Sequence, residues 1–457
     1  MYDSLTSTLK FLKVSTFTFL VLFSAALLLS SSLVHADQPI TIERIFGLGM
    51  AVDNSGNLAF TGSTAALQGQ GRGRSGFGSM AFLFKLDRNG RQLCFRTWGP
   101  QDYYRRNGGT GYQTDDTFGY GVAFDSSNNM YWTGTTMADN HENFKVFLVK
   151  LDPSCIPPQG EAAWRGGRSG ITWGGSGDDI GRAVAVDASD NVYVTGSTTS
   201  YGSGQGFVTS DIFLLKYDSS LELQWQRTWG GVHNDYGTGM TIDSVGNVYV
   251  VGSSESYGGQ SDFVLLKYDP YGNLVFQKVW GGQQNDYGTE VAVDSGGYVY
   301  MTGYTYSYGP TPGFASAALI KYDSEGNQIF AETWGGKFNT FAYGVTVDGA
   351  GDVYVTGYNY GSRTNPAVAN TFLLKYDPSG NLQSVETWGG NRGDYAYALA
   401  VDNIGNVFET GYTFSFGPNT RGASSFLLKY DPYGNLQYQM EYGGGAPTTN
   451  NQYWTNP

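Results

Sequence analysis

Histidine, cysteine and charge are all scarce in this chain. Of 457 residues, three are histidine and two are cysteine, and charged residues make up 15%. Beyond the first 36 residues only His141 and His233 remain. Nucleophilic catalysis by serine or cysteine needs a neighbouring base, usually histidine, so that chemistry has little to draw on. His233 fills a slot taken by Gln284 in a later copy of the repeat described below. His141 sits in the polar run Asp139-Asn140-His141-Glu142, a weak metal-binding pattern. No HExxH, phosphate-binding loop or dinucleotide fingerprint occurs in a suitable context. No N-x-S/T acceptor occurs either. Two cysteines exclude a disulfide-dense scaffold, but Cys94 and Cys155 can form one bridge in an oxidising compartment. Spacing alone leaves that open.

There is one long apolar run, and it stands at the start. Lys10 and Lys13 precede the apolar residues 17–29, and Val34-His35-Ala36 follows. Basic region, apolar region and small-residue end make a secretory signal peptide, so residues 1–36 are read as cleaved and the chain as secreted or displayed at the cell surface. An uncleaved anchor is the alternative reading of the same run. After cleavage no span remains. The net charge is −13 for the whole chain, and cleavage removes Asp3, Lys10 and Lys13, which leaves it more acidic still. Such a surface repels phosphate backbones and excludes nucleic acid as a partner.

What the chain has in abundance is glycine (66) and tyrosine (34), a composition that suits turn-rich β-structure. Three phrases recur in fixed order. A VAVDxxGNVYVTG-like phrase has its Asp at Asp53, Asp125, Asp187, Asp243, Asp294, Asp348 and Asp402. A FLLKYD-like phrase has its Lys at Lys85, Lys150, Lys216, Lys267, Lys321, Lys375 and Lys429. A TWGG-like phrase has Trp98, Trp173, Trp229, Trp280, Trp334 and Trp388, with Tyr442 in the last copy. Within one copy, 183–186 (AVAV), 192–195 (VYVT), 212–217 (IFLLKY) and 223–229 (LQWQRTW) read as four strands separated by turns. Seven copies of a four-stranded unit, none able to cover its own faces, predict an all-β, seven-bladed β-propeller of four-stranded antiparallel blades over residues 37–445, with a tail at 446–457. Residues 40–45 are read as an extra edge strand.

These phrases resemble the seven-bladed β-propeller repeat family abbreviated SBBP, found in secreted and surface proteins of bacteria and archaea. The resemblance implies a fold and a location and no settled activity, and fold alone confers none.

A residue present in every copy is best explained by a role in every blade. The hairpin Asp is expected to bond its own turn, the Lys to pair with carboxylates, and the Trp to wedge between blades. Sites are then sought among the irregular loops that link second to third strands and fourth to first strands, which share one face, here called the loop face. Asp179, Asp235, Asp286 and Asp394 stand six residues after a Trp, with Thr340 breaking the series. They are expected at the channel rim, either capping their own loops or holding calcium, an ion that takes several oxygen ligands. The motifs require no other cofactor. Tyr201, Tyr257, Tyr306, Tyr308, Tyr360, Phe414 and Phe416 decorate the second-to-third loops, to stack on a ligand or on neighbouring loops.

Trp98 and Gly119 are 21 residues apart where Trp173 and Gly181 are 8 apart. The insertion carries Tyr103, Tyr104, Arg105, Arg106 and Tyr112, and the nearby loop 65–80 carries Arg72 and Arg74. Arginine forks suit carboxylates, sulfates and phosphates, so these seven residues are the candidate ligand contacts. A second insertion, 153–171 with Trp164, is read as covering blade two. The reading is a binding or surface-interaction propeller for a carbohydrate, a cell-envelope component or a protein. The alternative is a secreted hydrolase or lyase with paired carboxylates at the channel mouth.

Overall fold

The computed structural model describes residues 42–66, 79–99, 116–137, 143–158, 170–202, 209–257, 260–361, 368–416 and 423–442. They form seven four-stranded antiparallel sheets, each made of four consecutive strands, and close into a seven-bladed β-propeller. The blades, one to seven, fall within residues 42–98, 117–173, 179–229, 235–280, 286–334, 340–388 and 394–442. Among the described residues no helix is long and apolar enough to cross a membrane.

Blade three shows the pattern, with strands Asp179–Val186, Val192–Thr198, Asp211–Tyr217 and Leu223–Trp229. The second and third strands are almost wholly buried, while the fourth alternates with solvent and is the outer edge. The first strand starts at Asp179, four residues before the apolar run that marks it in the sequence. Its ladder slips at a bulge beside Gly181, where the second strand passes so close that a side chain on Gly196 would collide with the carbonyl of Ile180. A bulge interrupts the two-residue alternation, so apolar patterning reveals only the part beyond it.

Of the stretch 40–45, the described residues 42–45 do not make a separate edge. The strand Ile42–Val52 is the inner strand of blade one and pairs along its length with Leu58–Ala66. Blade seven likewise keeps its own outer strand, Leu436–Tyr442, so among the described strands none is exchanged to close the ring. Closure rests on side chains. Phe60, Phe82 and Phe84 of blade one pack with Phe408, Leu427, Met440 and Tyr442 of blade seven in one buried cluster.

The repeated residues hold blades together in the ways their chemistry allows. Asp187 Oδ1 accepts the backbone N–H groups of Ser189 and Asn191 at 2.9 Å, and Tyr193 donates to Oδ2 at 3.1 Å. This is the expected Asx-turn. The repeated Lys does more than pair with acid. Lys85 lies 3.4 Å from Asp53 and Lys216 3.9 Å from Asp187. All seven also donate to a turn carbonyl of the next blade: Lys85 to Pro153, Lys150 to Ser219, Lys216 to Pro270, Lys267 to Ser324, Lys321 to Pro378, Lys375 to Pro432, and Lys429 back to Arg88 of blade one. The Trp wedges form as expected. Trp229 enters the core of blade four and donates its indole N–H to Gln277 at 2.9 Å, and Trp388 does the same to Gln439 at 2.8 Å.

Cys94 and Cys155 form a disulfide with Cα atoms 6.4 Å apart, tying the outer strand of blade one to a turn of blade two. The start of the second insertion therefore docks on blade one, where Arg96 also donates to the Cys155 carbonyl at 2.9 Å.

One core position departs from the repeat. Where other second strands carry Trp132, Val194, Val250, Met301 or Val355, blade seven has Glu409, fully buried. Thr356 Oγ1 lies 2.6 Å from its carboxyl and 2.9 Å from the carbonyl of Phe372. The matching threonines Thr195, Thr302 and Thr410 all donate to the corresponding carbonyl. A hydroxyl has one proton to give, so if Thr356 keeps that bond, Glu409 must be the donor and hence protonated. Burial accordingly pushes its carboxyl up to about 7. A folded-state value above the unfolded one means that stability is fully present below about pH 4.5 and is lost as pH rises through 7. Glu409→Gln should abolish that fall, a difference of roughly 3 kcal/mol at pH 8, as read by urea unfolding of both proteins between pH 4.5 and 8.

Candidate functional site on the loop face

The four aspartates that follow the Trp residues do not stand in solvent at the channel rim. Asp179, Asp235, Asp286 and Asp394 are each 0% exposed. Each opens an inner strand, and its carboxylate turns back into its own loops. Asp235 Oδ2 accepts Gly231 N at 2.9 Å and Ser256 Oγ at 2.7 Å, and Asp394 Oδ2 accepts Gly390 N and Ser415 Oγ at 2.8 and 2.7 Å. Asp286 accepts Gly282 N at 2.8 Å and the N–H groups of Tyr306 and Ser307. Loop capping is the role these contacts serve. Thr340 holds the same place, buried, with its hydroxyl on the Phe338 carbonyl. Among the described residues no group of three or more His, Cys, Asp or Glu is placed to hold a metal ion.

Arg72, Arg74, Tyr103, Tyr104, Arg105, Arg106 and Tyr112 lie outside the described residues, as do His141 and Trp164 and the signal and tail segments. His233 is exposed in the fourth-to-first loop between blades three and four.

The loop aromatics divide into two sets. Tyr201, Tyr257, Tyr308 and Phe416 lie over Trp173, Trp229, Trp280 and Trp388, with centroids 4.8 to 5.1 Å apart, and so cover the wedges. Tyr306, Tyr360 and Phe414 join a larger aromatic tier near the axis. Here the second strands of blades five to seven carry Tyr304, Tyr358 and Tyr412 where blades two to four carry Thr135, Ser197 and Ser253. Their rings meet Tyr287, Phe341, Tyr343, Tyr395 and Tyr397 from the inner strands. Tyr343 and Tyr358 stack at 5.6 Å with their hydroxyls 3.4 Å apart. Burial raises the phenols of Tyr343 and Tyr397 far above the usual tyrosine value, so both are neutral donors and acceptors at physiological pH.

One end of this tier opens into a cleft of about 510 Å³ lined by Gln260, Gln283, Gln284, Asn285, Tyr287, Tyr304 and Tyr306. Four amides and three phenols, with no charged group among them, face the space. Gln283, Gln284 and Asn285 come from the loop joining blades four and five, Gln260 from the second-to-third loop of blade four, and the phenols from blade five. The sequence reading found Tyr306 and missed the rest, because Gln283 and Gln284 look like ordinary loop residues until the ring brings them beside Tyr304.

The architecture is that of a seven-bladed β-propeller built from repeats. The family profile described as Beta-propeller repeat, SBBP, matches residues 171–202 and 226–259. The two matched stretches are copies of the unit that recurs seven times in the fold, which supports a seven-bladed β-propeller repeat family. A regulatory protein, FlaEY, of Caulobacter vibrioides is 27% identical over 206 residues, covering 38% of this chain, and the chain spans 22% of that protein's length. Among solved structures, the β-propeller domain of the Trilobed protease from Pyrococcus furiosus is similar with a TM-score of 0.46 and 9% identity, over 84% of this chain and 93% of that one. A puromycin hydrolase variant aligns with a TM-score of 0.48 and 12% identity, over 90% and 54%. These last two likenesses concern the fold alone.

Proposed function

We propose that the protein is an extracellular carbohydrate-binding propeller whose ligand lies in the amide and tyrosine cleft between blades four and five. The observation that carries this reading is the lining itself. Amides offer a donor and an acceptor on one planar group, which matches adjacent sugar hydroxyls, and tyrosine rings give a flat apolar face with a polar edge. An uncharged lining suits a neutral glycan better than an anionic one. The secretory reading of residues 1–36 supports an extracellular setting. Arg72, Arg74, Arg105 and Arg106 lie outside the described residues, and we assign them to acidic groups of the same cell-envelope polymer.

The test is a neutral-glycan array followed by titration calorimetry on the hit. Tyr306→Ala together with Gln284→Ala should weaken binding at least tenfold, about 1.4 kcal/mol or more. The four arginines changed to alanine should weaken only acidic glycans. Unchanged affinity in the Tyr306 and Gln284 double variant would remove the cleft from consideration.

A further inference from the structure

At the junction of blades two and three a cation is bound, and it belongs to the chain. Lys145 opens the third strand of blade two, and Asp179 opens the first strand of blade three. The Lys145 ammonium donates to the carbonyl of Gly175 and, at 3.2 Å, to that of Gly177, and lies 3.7 Å from Asp179 Oδ2. Two loop carbonyls and one carboxylate thus form a cage around a buried positive charge. A side chain on Gly174 would strike both Asp179 and Lys145, which places the two residues at one point.

The same two positions meet at each following junction. They are Asp211 and Asp235, then Asp262 and Asp286, then Ser316 and Thr340, then Asn370 and Asp394. Two junctions have therefore exchanged the lysine for a second carboxylate. The first glycine of the WGG phrase meets both members of the pair at three of these junctions. A methyl on Gly281 would collide with Asp262 Oδ1 and lie 2.9 Å from Asp286 Oδ2, and one on Gly230 would lie 2.5 Å from Asp211 Oδ1 and 2.8 Å from Asp235 Oδ2. Asp262 is 4% exposed, and its Oδ1 is sealed from solvent with no hydrogen-bond donor. A buried carboxylate oxygen without a donor, facing a second buried carboxylate, is unfavourable unless a cation or a proton lies between them.

We propose that the junction of blades four and five is a calcium site, with Asp262 and Asp286 supplying carboxylate oxygens and the loop carbonyls of Gly282 and Gln284 standing where those of Gly175 and Gly177 hold the lysine. Asp211 and Asp235, with the carbonyls of Gly231 and His233, form a second site of the same design. The ligands are all oxygen, which selects a hard ion, and calcium accepts the irregular geometry and the added waters such a cage leaves room for. Two carboxylates neutralise one divalent ion. Without it, burial and the nearby Asp286 push the Asp262 carboxyl up to about 6, toward sharing a proton.

The ligands are carboxylates and backbone carbonyls, so the test needs no glycan. Full-length protein stripped with a chelator is titrated with calcium chloride at pH 7.4 by calorimetry. Two ions per chain are expected, falling to one in Asp262→Lys and to none in Asp211→Lys combined with Asp262→Lys. The new lysines repeat the tethered cation of Lys145, so both variants should keep their melting temperature without calcium. The unsubstituted protein should gain about 2 °C or more per ion. A single ion in the unsubstituted protein, lost in Asp262→Lys, would keep the blade four to five site and remove the other. If the lysine variants do not fold, terbium luminescence sensitised by Trp280 in the unsubstituted protein, displaced by calcium, decides instead. Absence of calcium binding to the unsubstituted protein, or binding unchanged in the double variant, would overturn the proposal and leave the pairs as shared-proton contacts.

Discussion

Cys155→Ser should lower the free energy of unfolding by about 4 kcal/mol, the value chain entropy assigns to a cross-link spanning 61 residues. The bridge joins two neighbouring blades rather than two strands of one sheet, so the loss should appear as early separation of blades one and two. The turn chemistry adds a second arm to the test. Cys155 has φ of 63°, in the left-handed region that glycine occupies at the same turn position in Gly272, Gly380 and Gly434. A side chain there is strained by about 1 kcal/mol. Cys155→Gly should therefore recover about 1 kcal/mol of what Cys155→Ser loses, while Cys94→Ala should behave like the serine variant. Urea unfolding of the three variants, with and without a reductant, checks the order. A reductant that leaves the unsubstituted protein's midpoint unchanged would show that the bridge contributes nothing.

The second large effect is expected at the seam. Phe60 is fully buried and stacks at 5.2 Å on Phe84 and at 5.5 Å on Tyr442 of blade seven. No strand crosses here, so Phe60→Ala removes part of the packing that joins the first and last blades among the described residues. The cost should be about 3 to 5 kcal/mol, as for other buried aromatics cut to alanine. Its location matters as much as its size. Hydrogen exchange should quicken in residues 42–52 and 436–442 while residues 248–254 in blade four stay protected. Equal acceleration everywhere would mean the ring opens elsewhere or not at all.

Repetition made the fold legible. A residue that recurs in every copy meets the same partners in every copy, so the Asx-turns, the wedges and the number of blades followed from spacing alone. Loop capping by Asp179 and its equivalents was equally open to inspection, because donor and acceptor lie within one repeat and its neighbour. The sites were harder to see, for the opposite reason. Asp262 and Asp286 belong to different blades, and nothing in either phrase marks the other as its neighbour. The trace they leave is a single letter, Asp in DIFLLKY and DFVLLKY where another copy has Lys in KVFLVKL, and it has meaning only once the junction is built. The cleft is hidden similarly, since its amides come from two loops and its phenols from the strands and loop of the following blade. Lysine was read as a partner for acid, which Lys85 and Lys216 support, but its bond to the following blade needed the ring.

The chain of lysine contacts also has a direction. Each Lys in the third strand waits for a carbonyl that has not yet been synthesised when its own blade is complete, and only Lys429 reaches backward, to Arg88. If the disc grows in chain order, each arriving wedge supplies a carbonyl to the cation of its predecessor. A disc grown in chain order would present at its leading edge an ammonium lacking one of its acceptors and a bare apolar flank. An extra repeat inserted in frame would find the same docking surface, which makes the blade rather than the domain the natural unit of gain and loss.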